Sequence, residues 1–189
     1  MAELILVTGG ARSGKSTIAE KIFDNYETVL YIATSVPFDE EMKDRIMKHR
    51  ERRDEKWRTI EIYQNFKQLE NNHDFIACEG ILLDCITVML SNRFYYNEIN
   101  ETTSLEEYEE LEHSIIEDIS RMIDLAKSYG KKMVIVTNEL GMGIVPVDRM
   151  TRMYRDIAGR LNQYIAKEAD KVILAVSGIG VDLKKIQAG

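Results

Sequence analysis

Gly9-Gly10-Ala11-Arg12-Ser13-Gly14-Lys15-Ser16 matches the phosphate-binding pattern G-x-x-x-x-G-K-[ST] without a mismatch. The flanks suit it. Leu4-Ile5-Leu6-Val7 is an apolar run fit for a buried strand, and Ser16 to Phe23 reads as the start of a helix. Gly9 and Gly14 let the backbone turn tightly and come close to a phosphate. Successive N–H groups then face anionic oxygens at a helix start. In such a loop Lys15 neutralises the outer phosphates, and the Ser16 hydroxyl meets Mg²⁺. The bland alternative is a glycine-rich turn with a chance Lys-Ser. The flanking strand and helix favour a nucleoside triphosphate site.

Outward from this loop, strands and helices alternate. Thr28 to Thr34 reads as a second strand, Asp39 to Asp54 as a charged helix, and Arg58 to Tyr63 as a short strand. A further strand is expected around Ile81-Leu82-Leu83-Asp84. Leu105, Tyr108, Leu111, Ile115, Ile119, Met122 and Ala126 recur every three or four residues, which predicts a long helix. Ser104 and Glu107 form its expected capping box. Lys132 to Thr137 reads as a strand, Asp148 to Lys167 as a helix with Ile157 and Leu161 on one face, and Lys171 to Val176 as the last strand. Strands separated by helices imply right-handed crossovers and a mostly parallel sheet flanked by helices, an α/β fold. Ligands of such sheets sit beyond the C-terminal strand ends. Polar residues stand at several of those ends: Thr8, Thr34-Ser35, Asp84, Thr137-Asn138-Glu139 and Ser177.

The 189 residues suit one domain, read as a single nucleotide-binding unit over 1–189. A net charge of -7 argues against general nucleic-acid binding. No apolar run approaches the roughly 18 residues of a membrane span, and no secretory leader pattern opens the chain, so a cytoplasmic protein is expected. Cys78 and Cys85 read as small buried hydrophobes rather than metal ligands or a disulfide.

Other candidates leave alternatives open. Asp84 is either the acid that holds Mg²⁺ or the cap of a helix beginning at Cys85. Asn138-Glu139 with Gly141 and Gly143 is either a backbone held near a ligand or a plain loop. His73 reads as exposed loop, and His113 as solvated on an acidic helix face. His49 sits in a basic island, Arg45 to Arg53, within an acidic chain. That island is either a solvated helix face or a cluster of cations around an imidazole nucleophile.

At this point the ordered motifs resemble a known family. Val7 to Ser16, Tyr31-Ile32-Ala33-Thr34-Ser35, Arg45-Ile46 with His49-Arg50, Trp57-Arg58-Thr59 and Leu83-Asp84-Cys85-Ile86-Thr87 carry the resemblance. So do Val136 to Pro146, Arg155 to Gln163, and Val176 to Gly180. The chain is similar, nearly end to end, to the bifunctional adenosylcobinamide kinase / adenosylcobinamide-phosphate guanylyltransferases of the cobalamin pathway. The resemblance implies a RecA-like P-loop NTPase fold and a homotrimer. It implies phosphorylation of a corrinoid hydroxyl by ATP or GTP, followed by transfer of GMP from GTP through a guanylylated histidine. That histidine falls on His49, with Lys15 as its catalytic companion. The nucleotide contacts would be Gly9, Gly10, Ala11, Arg12, Ser13, Gly14, Lys15, Ser16, Ala33, Thr34, Ser35, Arg50, Glu51, Arg52, Arg53, Glu61 and Asp84, with Ser16 and Asp84 on Mg²⁺. The chain departs from some members in carrying Lys48 before His49, and Asp84 where many have Glu. A metabolite kinase without nucleotidyl transfer, or a nucleotide-dependent switch, are the competing readings.

Overall fold

A computed structural model describes residues 2–35 and 55–187. Seven strands form one sheet in the order β3-β2-β4-β5-β1-β6-β7. They are β1 (Glu3–Gly9), β2 (Val29–Ala33), β3 (Trp57–Glu61), β4 (Gly80–Asp84), β5 (Lys132–Val136), β6 (Lys171–Val176) and β7 (Ile179–Asp182). All neighbours are parallel except β6 and β7. The helices are α1 (Lys15–Lys21), α2 (His73–Ala77), α3 (Ile86–Tyr96), α4 (Leu105–Ser128), α5 (Arg149–Glu168) and α6 (Leu183–Ile186), with a 3₁₀ helix at Phe66–Asn71.

The inner strands β1, β2, β4 and β5 are near-continuous apolar runs because both faces are covered. Along each strand the side chains alternate between two cores. Leu4, Leu6, Leu30, Ile32, Ile81, Leu83 and Ile135 face α3, α4 and α5, where Ile86, Leu90, Ile115, Ile119, Ile157 and Leu161 are fully buried. Ile5, Val7, Tyr31, Ala33, Leu82, Val134 and Val136 face the other way, with Ala19 and Phe23 at α1. The long helix has the expected capping box: the Ser104 N–H donates to Glu107 Oε2 at 2.7 Å, and the Glu107 N–H donates to Ser104 Oγ at 3.2 Å. Arg93 joins α3 to α4, donating to Asp118 Oδ2 and Ser114 Oγ at 2.7 Å each.

The structure adds elements that the sequence pattern leaves out. Residues 66–77 form two short helical turns, so His73 opens α2 rather than lying in a loop, though its side chain is exposed. After β6 the chain reverses through Ser177 and Gly178, both at positive φ, into the antiparallel edge strand β7. Two positive-φ residues give the hairpin turn whose twist suits the flanking strands. Cys78 and Cys85 are buried and free, as expected, and His113 is exposed beside Glu117. The charged helix expected over 39–54 lies outside the described residues.

Glu3 staples the N-terminal ends of three adjacent strands, β5, β1 and β6. Its carboxylate pairs with Lys132 on β5 at 2.9 Å and Lys171 on β6 at 2.6 Å. The hydrogen bond from Lys171, then that from Lys132, holds the Glu3 pKa below its ordinary value of 4.5. A depressed folded pKa stabilises the fold above the unfolded value, and that stability is lost as pH falls through the folded value. Glu3→Gln is therefore expected to lower stability at pH 7 by about 1 kcal/mol, the scale of a partly exposed network. In urea melts run at several pH values, the gap from wild type should close as pH drops below 4.5.

Candidate functional site

The loop Gly9 to Ser16 leaves the C-terminal end of the inner strand β1 and enters α1. Two contacts dictate its glycines. A Cβ on Gly9 would lie 2.3 Å from the Ala175 carbonyl oxygen of β6. Gly14 caps α1 at φ 94°, and a Cβ there would lie 3.0 Å from Gly178 Cα. The Gly178 N–H donates to the Ser13 carbonyl at 2.8 Å, so the β6–β7 turn latches the loop from outside. Gly10, Ala11 and Arg12 remain exposed at the rim.

Lys15 is buried, and its ammonium donates to the Gly10 carbonyl at 2.6 Å. Burial lowers its pKa, and the nearby Asp84 carboxylate opposes that shift. Asp84 ends β4, two strands from β1. Its Oδ2 accepts from Ser16 Oγ at 3.2 Å and from the Tyr31 hydroxyl at 3.1 Å. Asp84 does not cap α3: Cys85 holds the cap position, and no side chain bonds there. Of the two roles open to it in the sequence, the structure aims it at the phosphate loop. Thr8 Oγ1 and Ser13 Oγ are buried without a hydrogen-bond partner among the described residues. Buried hydroxyls left unpaired cost on the order of 1–3 kcal/mol each. Thr8 precedes the loop in sequence and Ser13 lies within it, where a ligand rich in acceptor oxygens would give a hydroxyl a partner.

Thr34 holds Asp84 from behind. Its hydroxyl donates to the Cys85 carbonyl at 2.8 Å and accepts from the Cys85 N–H at 2.8 Å. Its own N–H donates to the Asp84 carbonyl at 3.2 Å. The Asp84–Cys85 peptide is cis. Asn92 of α3 donates its side-chain amide to the Thr34 carbonyl. Thr34 is fully buried, so the structure puts its hydroxyl on the chain itself. Ala33 is buried beside it, Ser35 is half-buried, and Glu61 is exposed at the end of β3. His49, Arg50, Glu51, Arg52 and Arg53 lie outside the described residues.

Beyond Val136 the β5 ladder continues against the loop: the Thr137 N–H donates to the Val7 carbonyl and the Glu139 N–H to the Gly9 carbonyl, each at 3.0 Å. Glu139 Oε1 accepts from the Gly141 N–H at 2.7 Å. Tyr31, Thr87 and Asn162 join the site without having been singled out individually in the sequence. Asn162 carried a signal, since it falls four residues after Ala158 on the apolar stripe of α5, where a polar residue needs partners.

Thr34→Val keeps the shape but strands the Cys85 N–H. An unfolding curve should show a loss of about 1–3 kcal/mol, while Thr34→Ser should retain most of the stability. Unchanged stability in Thr34→Val would remove the clamp.

Comparison with known proteins agrees with this geometry. Residues 5–183 match the family model described as cobinamide kinase / cobinamide phosphate guanyltransferase. The chain is 45% identical over 181 residues to the bifunctional adenosylcobalamin biosynthesis protein CobU of Escherichia coli, covering 96% of this chain and 99% of that protein. The CobU of Salmonella typhimurium is also 45% identical over 181 residues. The CobP of Pseudomonas aeruginosa is 33% identical over 181 residues, covering 95% of this chain and 96% of that one.

Proposed function

The chain belongs to the cobinamide kinase / cobinamide phosphate guanyltransferase family, and on that premise we propose that it performs both reactions in turn. The observation that carries this reading is the meeting of Lys15, Ser16 and Asp84 at one end of a parallel sheet. In the first reaction the corrinoid hydroxyl oxygen attacks the γ-phosphorus of ATP or GTP. The bond to the β,γ-bridging oxygen breaks, the diphosphate leaves, and the hydroxyl proton passes to solvent. In the second, a His49 imidazole nitrogen attacks the α-phosphorus of GTP and expels pyrophosphate. A phosphate oxygen of the phosphorylated corrinoid then attacks that phosphorus, breaks the P–N bond and frees His49.

The site residues divide the work. The backbone of Gly9 to Ser16 grips phosphate oxygens, and Lys15 offsets charge that grows on the leaving group. Arg50, Arg52 and Arg53 are suited to clamp phosphates through guanidinium forks, with Ala33, Ser35, Glu51 and Glu61 lining the nucleotide and the buried Thr34 clamping the end of β4 behind them. Ser16 Oγ and Asp84 supply oxygen donors alone, which fits a hard cation such as Mg²⁺. When bound, that ion neutralises charge on the phosphates. Tyr31 holds Asp84 in place for it. The same reading makes residues 1–189 one nucleotide-binding domain of a cytoplasmic homotrimer. No helix among the described residues is long and apolar enough to cross a membrane. Exposures of 81% at Met142, 94% at Ile144 and 96% at Val147 support a subunit interface on the loop after β5.

The test is mass spectrometry of the intact protein after incubation with GTP and Mg²⁺, with peptide mapping. A GMP increment should appear on His49 and be absent in His49→Ala. That variant should lose guanylyl transfer by more than about 1000-fold and still phosphorylate the corrinoid at near the wild-type rate. Lys15→Ala should impair both steps. Corrinoid phosphorylation without any GMP adduct would leave a kinase alone.

A further inference from the structure

We propose that Asn138 is a catalytic residue of the phosphoryl transfer, donating a side-chain N–H to the γ-phosphate. This rests on the reading of the phosphate loop given above.

The position follows from strand register. Val7, Val136 and Asp84 are level on β1, β5 and β4, and β5 lies between the other two. The ladder runs on past Val136, through Thr137 to Val7 and Glu139 to Gly9. Side chains alternate along such a run. Val134 and Val136 face the α1 side of the sheet, and the alternation carried two residues on assigns Asn138 to the same side. Asp84, bonded to Ser16, is on that side too. Asn138 therefore stands level with the first loop residue, between the loop and the metal-side acid. In a phosphate loop the backbone and the Lys hold the β- and γ-phosphates, and the Ser meets Mg²⁺. A group between Gly9 and Asp84 faces the outermost of them.

The carboxamide is already fixed. Its Nδ2 donates to Thr87 Oγ1 at 2.6 Å. Thr87 is 3% exposed, and its carbonyl accepts from the Tyr154 hydroxyl at 2.6 Å. Asn162 Nδ2 donates to the Asn138 carbonyl at 3.1 Å, while Asn162 Oδ1 accepts from Thr137 Oγ1 at 2.7 Å. Thr87 and Asn162 are thus positioning residues. One amide hydrogen serves Thr87. The second amide hydrogen and Oδ1 meet no other described residue. A neutral donor so held needs no rearrangement as negative charge shifts in the transition state. Removing one such donor typically costs about 100- to 1000-fold in kcat.

A purely structural corner would predict otherwise, and nucleotide affinities separate the two. Binding of ATP and ADP with Mg²⁺ is measured by calorimetry for the full chain and for Asn138→Ala and Asn138→Asp. Corrinoid phosphorylation is followed in parallel. ADP affinity should stay within about 3-fold of wild type, and ATP affinity should fall about 10-fold, one hydrogen bond to a charged group. The kcat should fall about 100-fold. Asn138→Asp should lose more ATP affinity than Asn138→Ala, because a carboxylate repels the γ-phosphate. It also keeps the shape and can accept from the Thr87 hydroxyl, so it carries the test if Asn138→Ala does not fold. Equal changes in ATP and ADP affinity, or an unchanged kcat, would overturn the proposal and leave the phosphate loop intact. A wild-type chain that holds neither nucleotide would overturn the loop reading and this proposal with it.

Discussion

The site depends on keeping one ammonium out of water. Lys15 is only 8% exposed, and a buried cation without compensation would cost several kcal/mol. The Gly10 carbonyl and the Asp84 field supply that compensation. Both require geometry set elsewhere. Gly10 is held by a loop pinned between the ends of β5 and β6, and Asp84 by the Thr34 clamp and the Tyr31 hydroxyl. The electrostatics of the loop thus reach back through four parallel strands and one hairpin turn.

The two faces of the sheet contribute differently. Three long helices cover the face of Leu6, Ile32 and Leu83 and form the larger core. Their polar residues reach the strand ends: Asn92 from α3 holds Thr34, and Asn162 from α5 holds Thr137 and Asn138. The opposite face carries α1, and with it Lys15 and Ser16. Helices on one side therefore brace the strand ends from which the other side works. This is a common way to keep polar groups within a few tenths of an ångström of a working geometry.

Much of this was legible from residue patterns. The strand runs, the capped helix at 104–128 and the phosphate loop are local features, and each has a strong chemical reason. What escaped was short or tertiary. β7 is four residues long and follows a Ser-Gly turn, a signal easily absorbed into the strand end before it. Residues 66–77 lack any long apolar period. Thr34 is the instructive residue. At a strand end a threonine reads equally well as a ligand or as a clamp, and only its partner across β4 decides. Asp84 posed a choice between metal-holding acid and helix cap; the structure removes the cap and turns its carboxylate to Ser16, sixty-eight positions away in the chain. Sequence spacing carries no record of such contacts.

Two displacements at different phosphorus atoms place opposite demands on one phosphate site. Transfer from the γ-position needs the outer phosphate fixed and its acceptor free to approach. Attack at the α-phosphorus needs the outer phosphates held as a leaving group while a nucleophile comes to the inner one. A rigid grip at the β- and γ-positions serves both, provided that the nucleophiles are supplied separately. The described residues supply the grip. The loop, Asp84 and the braced end of β5 are tied by short backbone and side-chain bonds to the sheet. His49 belongs instead to the connection between β2 and β3, which departs from Ser35, next to the Thr34 clamp. The strand order sets β4 and β5 between β2 and β1, so the connection that contains His49 leaves the sheet away from the strand that opens the phosphate loop.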